Sequence, residues 1–377
     1  MTLKLKKQVN TNKPPNALIL MPFVGINKIY TQAKLETISG SLASDRLQIK
    51  PLIQALNNLN YNISAASLNT TFQVTDLKKL RNFDLCIAGK IRYHESMDAN
   101  QFTQFHSCCA LDLKRKGAKL ITIYSDHVAQ AETIDSELYK NLLFLSDHIV
   151  TPSEKLKHLA CNTIAGLSPT SIIEDPCLLP RQEFNQLNTG EIIRLLWFGN
   201  VPNLKYLFRE IQNLFLKSDR SKRYELTILT LEVGLRNVQH KYTSDLIRSN
   251  WSLRLMSWDI ENQPTQLKAE LSRAHITLLP SDPLDPQKNG VSHNRLIDSI
   301  QSGCIAIASP VDSYIELASV SLIGDNFPKL LNFAVANYPQ LCNKYSKLRD
   351  AALQRFKPEL NIKKWETAIQ ETMNSAA

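Results

Sequence analysis

Residues 274–309 read AHITLLPSDPLDPQKNGVSHNRLIDSIQSGCIAIAS and decide the fold class. The stretch predicts an apolar strand at His275–Pro280, a short helix at Ser292–Ser302 and, directly after Gly303, a second apolar strand at Cys304–Ser309. A strand, a helix and a strand within so few residues form a βαβ unit, and such a unit requires a parallel sheet. The pattern therefore predicts an α/β protein.

The loop between the first strand and the helix has the features of a ligand-binding loop. It lies at the carboxyl end of a strand, where open α/β sheets bind ligands. The helix start supplies N–H groups and a partial positive charge that suit a phosphate. Lys288 and Arg295 flank it, and Asp298 lies one turn inside, where it can hydrogen-bond a sugar hydroxyl. These features predict a nucleotide-like ligand, whereas an i,i+3 surface pair between Arg295 and Asp298 is the alternative.

The composition limits the classes of protein that the chain can belong to. Its 377 residues are 43% hydrophobic, which is enough for two domains with real cores. No apolar run could span a membrane, and seven cysteines without a disulfide or metal pattern fit a reducing cytosol. We therefore expect a cytoplasmic protein, and leave peripheral contact with a membrane surface open.

The net charge of +9 favours anionic partners. Nucleotide phosphates, acidic glycans and anionic lipid headgroups all meet this description. Nucleic acid is disfavoured, because no run of Lys and Arg is interleaved with aromatic residues as single-strand binding would need.

Strand and helix patterns alternate along nearly the whole chain, which predicts two doubly wound domains. We predict a flexible tail at 1–15, a first domain at 16–178, a polar linker at 179–191 and a second domain at 192–355. The last segment, 356–377, contains a helix that can return to the first domain. The predicted strands are Ala17–Met21, Tyr61–Ala65, Leu85–Ala88, Lys119–Tyr124, His148–Thr151, Ser171–Glu174, Ile193–Phe198, Glu225–Thr230, Ser252–Met256, His275–Pro280, Cys304–Ser309 and Ser319–Ile323.

Short segments elsewhere in the chain carry a family pattern. LWFGN (Leu196–Asn200) resembles the first strand and glycine turn of a donor domain, and SDHIVTPSEKLKHL (Ser146–Leu159) resembles a segment that follows a first-domain helix. GAKLITIYSDH (117–127) and SLASDRLQIKPLIQAL (41–56) resemble other first-domain segments. Together with residues 274–309 they resemble the GT-B glycosyltransferases, in particular the retaining, sugar-nucleotide-dependent family-4-like group.

This resemblance implies two Rossmann-like domains that face each other across a cleft. In the family, the last functional helix carries two acidic residues separated by seven others. Here the later acid falls on Asp298, which by analogy would bind the ribose of the donor nucleotide, whereas the earlier acid falls on Gly290 and is missing. Asn294 and Arg295 resemble an Asn-Lys form of the helix start that many variants carry.

The remaining donor-binding candidates follow strands of the second domain. Gly199 and Asn200 form the turn after one strand, where they can approach the diphosphate. Lys205 in the next helix would add positive charge, and is otherwise a solvated helix lysine. Trp258 would line the base pocket, and is otherwise a packing aromatic. Ser292 begins the helix that is predicted to hold the diphosphate.

The first domain is expected to hold the acceptor and any general base. Asp126 and His127 follow a central strand at its carboxyl edge, so we predict that they face the cleft and take catalytic or sugar-contacting roles. For His127 a satisfied structural histidine is the alternative. Four further acceptor-side candidates lie in the loops of this domain, namely Ser44, Arg46, Arg92 and His94.

The predicted function is a hexosyltransferase-like reaction that moves a sugar from a UDP- or GDP-linked donor to a carbohydrate, a glycolipid or another anionic acceptor. The departing diphosphate needs stabilisation by cations and fixed dipoles, and we expect neither a metal nor a cofactor. Asp282 and Asp285 come nearest to a metal motif, but their Pro-rich context indicates a rigid loop. The resemblance alone implies that the configuration is retained.

Two other functions are alternatives to this one. A GT-B-like protein that binds nucleotide or glycan without turnover is the alternative, and the missing acid at Gly290 favours it. A Rossmann oxidoreductase is disfavoured, because no GxGxxG motif follows a predicted strand.

Overall fold

The structure is a computed structural model, and its described part forms two lobes, each built on a parallel sheet. The described residues are 13–20, 29–31, 45–66, 82–89, 91, 98–129, 133–163, 168–188, 190–242, 250–259, 262–285, 288 and 290–375. The first sheet takes its strands from the chain before residue 173, and the second takes its strands from residue 193 onward. The predicted α/β class with two Rossmann-like units is confirmed.

The first lobe contains a seven-stranded sheet. Its strands are β1 (Asn16–Leu20), β2 (Ile29–Thr31), β3 (Asn62–Ala66), β4 (Leu85–Gly89), β5 (Lys119–Ile123), β6 (His148–Thr151) and β7 (Thr170–Ile172). Its helices are α1 (Lys50–Asn58), α2 (Ala99–Arg115), α3 (Ile134–Leu145) and α4 (Glu154–Thr163). The spatial order is β2-β3-β1-β4-β5-β6-β7, and β2 is antiparallel to β3 whereas the other pairs are parallel.

The central strand β1 shows why this sheet must be covered on both faces. Ala17 and Ile19 belong to one apolar cluster, and Leu18 and Leu20 belong to another. Successive strand residues point to opposite faces of a sheet, so a continuous apolar run needs packing partners on each side.

The second lobe contains a six-stranded sheet in the order β10-β9-β8-β11-β12-β13, with every pair parallel. Its strands are β8 (Ile193–Phe198), β9 (Tyr224–Thr230), β10 (Trp251–Ser257), β11 (Ile276–Leu279), β12 (Ile305–Ala308) and β13 (Leu322–Ile323). Its helices are α5 (Leu204–Lys217), α6 (Glu232–Tyr242), α7 (Gln263–Arg273), α8 (Asn294–Gln301), α9 (Asp312–Ile315), α10 (Phe327–Ala336) and α11 (Tyr338–Leu353). The predicted βαβ unit is confirmed as β11-α8-β12.

Gly303 ends α8 as predicted, and a glycine is required there for two reasons. Its φ of +73° lies in the left-handed region, and a Cβ at this position would lie 2.4 Å from the carbonyl oxygen of Glu183. Glu183 belongs to the predicted linker, whose described residues, 179–188 and 190–191, form no helix or strand and pack along the second lobe. The Gln182 N–H donates to the Gln301 carbonyl at 3.0 Å, and Arg349 donates to the Gln182 carbonyl at 2.6 Å.

The last helix, α12 (Pro358–Asn374), packs in the first lobe rather than the second. Trp365, Ala368 and Ile369 are buried in the same apolar cluster as residues of β1 and α1. The chain therefore crosses between the lobes twice, once after β7 and once before α12. None of the described helices is long and apolar enough to cross a bilayer.

Candidate functional site

A cavity of about 560 Å³ opens between the two lobes and takes lining residues from both. Gln48, Ser125, Asp126 and Asp175 line it from the first lobe. The second lobe supplies the loops that follow β8, β10 and β11. Parallel strands bring these loops to one edge of each sheet, and this is where α/β folds bind ligands.

Nine of the residues that the sequence analysis selected line this interlobe cavity. They are Asp126, Gly199, Asn200, Trp258, Lys288, Ser292, Asn294, Arg295 and Asp298. The loops that follow parallel strands meet at the carboxyl edge of the sheet. Residues that follow different strands therefore come together there, although they are distant in the sequence.

The guanidinium of Arg295 is the most unusual group in the cavity wall. Its Cζ lies 5.5 Å from the ring of Trp197 and 5.4 Å from the ring of Phe198. Its Nε and Nη2 are buried and have no hydrogen-bond partner among the described residues, and burial lowers the pKa of Arg295. Buried N–H donors with a positive charge and no partner favour an anionic ligand.

Gly199 allows this arginine to approach the turn after β8. A Cβ at position 199 would lie 3.5 Å from the Arg295 Cζ and 3.5 Å from the Trp197 ring. Neighbouring Asn200 is exposed. Trp258 is half-buried, and its backbone N–H donates to the Thr230 carbonyl at 2.9 Å. Asn200 and Trp258 thus line the same cavity as the arginine.

Lys288 adds a second cation to the same cavity. It is half-buried, and burial lowers the pKa of Lys288 while the Asp126 carboxylate counteracts this effect. Asp126 belongs to the first lobe, so the two lobes interact electrostatically across the cavity. The second lobe contributes the cations Lys288 and Arg295 to the cavity wall, and the first lobe contributes the carboxylates of Asp126 and Asp175.

The start of α8 differs from the prediction. The helix begins at Asn294, two residues after the predicted Ser292, and its first N–H groups are not free. The Asn294 N–H donates to Ser292 Oγ at 3.3 Å, and the Arg295 N–H donates to Asn294 Oδ1 at 2.6 Å. Local side chains thus take donors that the sequence analysis assigned to a phosphate, and the positive charge here comes from Arg295 and Lys288.

Asp298 lies on the cavity wall one turn into α8. Burial raises the pKa of the Cys177 thiol to about 12, and the nearby Asp298 charge acts in the same direction. Asp298 therefore lies near the segment that crosses from the first lobe to the second. The Nε and Nη2 of Arg295 make no hydrogen bond to it, which disfavours the simple i,i+3 pair.

His127 does not face the cavity, contrary to the prediction. Its side chain is buried, its Nδ1 lies 3.0 Å from the Tyr124 hydroxyl, and its Nε2 has no hydrogen-bond partner among the described residues. Asp126 lines the cavity, and the chain turns directly after it, because the Val128 N–H donates to the Asp126 carbonyl at 2.9 Å. The environment of His127 matches the structural alternative, and its catalytic role stays a prediction.

Lys205 also lies outside the cavity lining. Its Nζ is 3.0 Å from Asp285 Oδ2, and this hydrogen bond raises the pKa of Lys205. Tyr206 donates to the same carboxylate at 2.5 Å, while Arg209 pairs with Asp282 at 2.6 Å. The loop that carries both acids is therefore fastened to α5, which agrees with the rigid-loop interpretation.

The other acceptor-side candidates cannot be located in full. Ser44, Arg92 and His94 lie outside the described residues. For Arg46 the structure describes the backbone, in the helical turn Asp45–Ile49, but not the side chain.

The missing acid at Gly290 has a physical explanation. Ser153, which precedes α4 of the first lobe, donates from Oγ to the Gly290 carbonyl at 2.7 Å and accepts from the Leu156 N–H at 3.2 Å. Gly290 has a φ of +85°, and a Cβ there would lie 2.9 Å from the Leu156 nitrogen. The first lobe occupies the space that an acidic side chain would start from.

Several cavity residues were missed by the sequence analysis. Gln48, Asp175 and Tyr314 line the cavity, and all three are buried. Asp175 could have been found, because it follows β7 at the same carboxyl edge that identified Asp126. No comparable signal in the sequence identifies Gln48, which lies in a helical turn.

Solved structures with a similar architecture include two that match over nearly the whole chain. Sucrose-phosphate synthase from Thermosynechococcus elongatus has a TM-score of 0.62 at 10% identity, covering 94% of this chain and 98% of that one. The lipopolysaccharide outer core galactosyltransferase WaaB has a TM-score of 0.58 at 12% identity, covering 94% and 99%. The chain has the GT-B fold.

The GT-B likeness is one of structure rather than sequence. TarM, with a TM-score of 0.51 and 12% identity over 77% of this chain, is larger, and the chain spans 55% of its length. No family model and no curated protein sequence matches the chain.

Proposed function

We propose that this GT-B protein is a glycosyltransferase that moves a hexose from a UDP- or GDP-linked donor to a carbohydrate, a glycolipid or another anionic acceptor. The proposal rests on two buried guanidinium nitrogens of Arg295 in the interlobe cavity, which have no hydrogen-bond partner in the part of the chain that the structure describes. Solved structures that share the fold include a sucrose-phosphate synthase and a galactosyltransferase, which supports the same class of reaction.

In this proposal the second lobe binds the donor. Arg295 and Lys288 pair with the diphosphate, Asp298 accepts a hydrogen bond from the ribose, and Trp258 lines the base pocket. When the bond between the anomeric carbon and the phosphate oxygen breaks, negative charge develops on the diphosphate. Two cations in a half-buried cavity stabilise that charge strongly, because little water screens them there.

Asp126 is the first-lobe group that we propose to contact the reacting sugar or to act as a base. It lies across the cavity from Lys288. The two side-chain cations take the part that a metal would otherwise play, so we propose a metal-independent reaction without a cofactor. A retaining outcome rests on the family resemblance.

We propose a cytoplasmic location, which suits seven free cysteines, with contact at a membrane surface left open. A GT-B-like protein that binds nucleotide or glycan without turnover is the second candidate. The missing acid favours this second candidate, because Gly290, which stands at that position, touches the first lobe.

Nucleotide binding and turnover separate these candidates. A thermal-shift panel of UDP, GDP, ADP and CDP should raise the melting temperature with one of them, because a ligand that binds only the folded state stabilises it. Incubation with UDP-glucose, UDP-galactose or GDP-mannose should then release the nucleoside diphosphate. A shift without release supports the nucleotide-binding protein, and no shift with any nucleotide contradicts both the glycosyltransferase and the nucleotide-binding protein.

Asp298→Ala is expected to abolish the shift given by UDP or GDP. The loss follows from the ribose hydrogen bonds that this carboxylate is proposed to accept. Asp350→Ala is the matched control, because Asp350 is an exposed carboxylate of the same lobe that pairs with Arg181. A shift of unchanged size in Asp298→Ala would remove this residue from the donor site.

A further inference from the structure

The first lobe places a buried carboxylate in the cavity to which the proposed reaction gives no role. Asp175 is 5% exposed, follows β7 and lines the cavity. Among the described residues its one hydrogen-bond donor is Gln48, whose Nε2 lies 3.1 Å from Asp175 Oδ1. An ionised carboxylate can accept about four hydrogen bonds, and a neutral amide does not offset its charge. Asp175 therefore has capacity for a donor from the cavity.

The position of Asp175 in the chain brings it close to the predicted ribose site. Cys177, two residues later, is near enough to Asp298 for that carboxylate to raise the pKa of the thiol. Leu178 and Leu179, which continue the crossing segment, also line the cavity. A ligand that reaches Asp298 thus passes along the segment that carries Asp175.

Two amide side chains lie next to Asp175 at a second, smaller cavity. Gln48 Oε1 and Asn361 Oδ1 are both buried without a hydrogen-bond partner among the described residues. Both residues line one small cavity of about 10 Å³, and Asp175 lines it as well. The orientation of the Asn361 amide is fixed, because its Nδ2 donates to the Glu174 carbonyl.

This small cavity suits one water molecule. Its volume is that of about one water-sized sphere, and buried waters bind where polar groups otherwise lack partners. A water has two O–H groups to donate, and the cavity offers two acceptors without a donor. The water would fix the Gln48 amide so that its Nε2 points at Asp175.

We propose that Asp175 is an additional ligand-binding residue that accepts a hydrogen bond from a hydroxyl group of the nucleotide sugar. A water shared by Gln48 and Asn361 fixes the Gln48 amide, and this amide in turn holds the Asp175 carboxylate in place. Through Asn361, helix α12 thus helps to position Asp175 in the cavity. The inference rests on the proposed function. The hydroxyl belongs to the ribose or to the transferred sugar, which offer the same chemistry.

Calorimetric titration of three ligands distinguishes these sources. The probes are inorganic pyrophosphate, the nucleoside diphosphate that binds the wild type, and the corresponding nucleotide sugar, UDP-glucose or GDP-mannose. Asp175→Asn should raise the Kd of the nucleotide sugar at least tenfold and leave the Kd of pyrophosphate within twofold. If the Kd of the nucleoside diphosphate rises equally, the hydroxyl is on the ribose; if it stays constant, the hydroxyl is on the transferred sugar.

Equal affinities of wild type and Asp175→Asn for all three probes would overturn the inference alone. A wild type that binds none of them would overturn the proposed function. Asp175→Ala gives the same readout if the asparagine variant does not fold. Asp112→Asn is the control, because this carboxylate of α2 pairs with Lys116 and does not line the cavity.

The water is tested by Asn361→Leu, which removes one of the two acceptors. We expect the Kd of the nucleotide sugar to rise about threefold to tenfold and the Kd of pyrophosphate to stay unchanged. Glu366→Gln is the matched control on the same helix, since it weakens the 2.6 Å contact with Asn58 outside the cavity. A crystal structure should show a water within hydrogen-bond distance of both amide oxygens. An empty cavity, or an unchanged Kd in Asn361→Leu, would contradict the role of the water.

Discussion

At the scale of single residues, Arg295 shows how burial changes the meaning of a side chain. In the sequence it is compatible with a surface ion pair to Asp298 or with a ligand contact. In the structure its guanidinium lies beside Trp197 and Phe198, and two of its buried nitrogens have no hydrogen-bond partner among the residues described. An exposed arginine would satisfy these nitrogens with water, so the ligand interpretation gains its support from burial.

Arg295→Lys is expected to raise the Kd of the nucleoside diphosphate by roughly 10- to 100-fold, since hydrogen bonds to charged groups contribute about 1.5–3 kcal/mol. Lysine keeps the charge but loses the planar fork that can bind a phosphate through two parallel hydrogen bonds. The measurement is a calorimetric titration with UDP or GDP.

The control for this substitution is Arg236→Lys, because Arg236 is exposed on α6 and pairs with Glu232. Its Kd should equal that of the wild type. If Arg295→Lys also binds within twofold of the wild type, the guanidinium does not contact the diphosphate.

At the scale of elements, β8 and β11 meet at a buried histidine. The Arg194 N–H donates to His275 Nδ1 at 3.0 Å, and the Arg194 guanidinium lies 2.9 Å from Nε2. Burial, with help from the Arg194 charge, lowers the pKa of His275 to about 4. The folded protein therefore holds this imidazole neutral at pH values where an exposed histidine is protonated.

Acid should destabilise the protein through His275. The unfolded chain takes up the proton near pH 6.5 and the folded chain near pH 4, so the free energy of unfolding falls as pH decreases between these values. The loss reaches at most about 3 kcal/mol. Urea unfolding at pH 7, 5.5 and 4.5 measures it, and His275→Gln should flatten the dependence in this range.

The comparison variant is His158→Gln, whose histidine is exposed on α4. It should keep the pH dependence of the wild type. A pH dependence in His275→Gln as steep as that of the wild type would assign the acid sensitivity to other groups.

Most elements follow from local sequence, and the exceptions have tertiary causes. Each of the twelve predicted strands overlaps an observed strand, because apolar runs bounded by polar turns are a local signal. β2 was not predicted, since it has three residues and exists through antiparallel pairing with β3. The start of α8 was placed two residues early, because the side chains of Ser292 and Asn294 arrange the N–H groups there.

At the scale of the whole molecule, the lobes are joined by contacts of several kinds. Ser153 bonds to the Gly290 carbonyl, Lys155 pairs with Asp312 at 2.8 Å, and α12 returns to the first lobe. The predicted boundaries of the two domains stay a proposal. These contacts between the lobes bring Asp126 and Lys288 to opposite walls of one cavity. The proposed chemistry therefore depends on the contacts.

Gly290→Ala is expected to push the lobes apart. The added Cβ would lie 2.9 Å from the backbone nitrogen of Leu156, which cannot move without shifting α4. We expect turnover of the nucleotide sugar to fall by roughly 10- to 100-fold, since small displacements of reacting groups have effects of this size. Small-angle scattering should show a larger radius of gyration.

Gly190→Ala is a closely matched control. Gly190 has a similar φ of +80°, but nothing lies within 4 Å of a Cβ built there. It therefore carries the backbone strain of about 1 kcal/mol without the clash. If both variants lose turnover equally, the contact between the lobes has no part in the reaction.

The sequence by itself determined the α/β class, the two sheets, the βαβ unit at 274–309 and most of the second-lobe loop residues that line the cavity. These follow from local patterns, and the carboxyl edge of a parallel sheet gathers its loops wherever the strands lie. Only the tertiary structure decided that His127 is buried away from the cavity, that Lys205 pairs with Asp285, and that two Arg295 nitrogens are buried without a partner in the described part of the chain. Burial and pairing depend on which distant segments pack against a side chain, and local sequence does not contain that information.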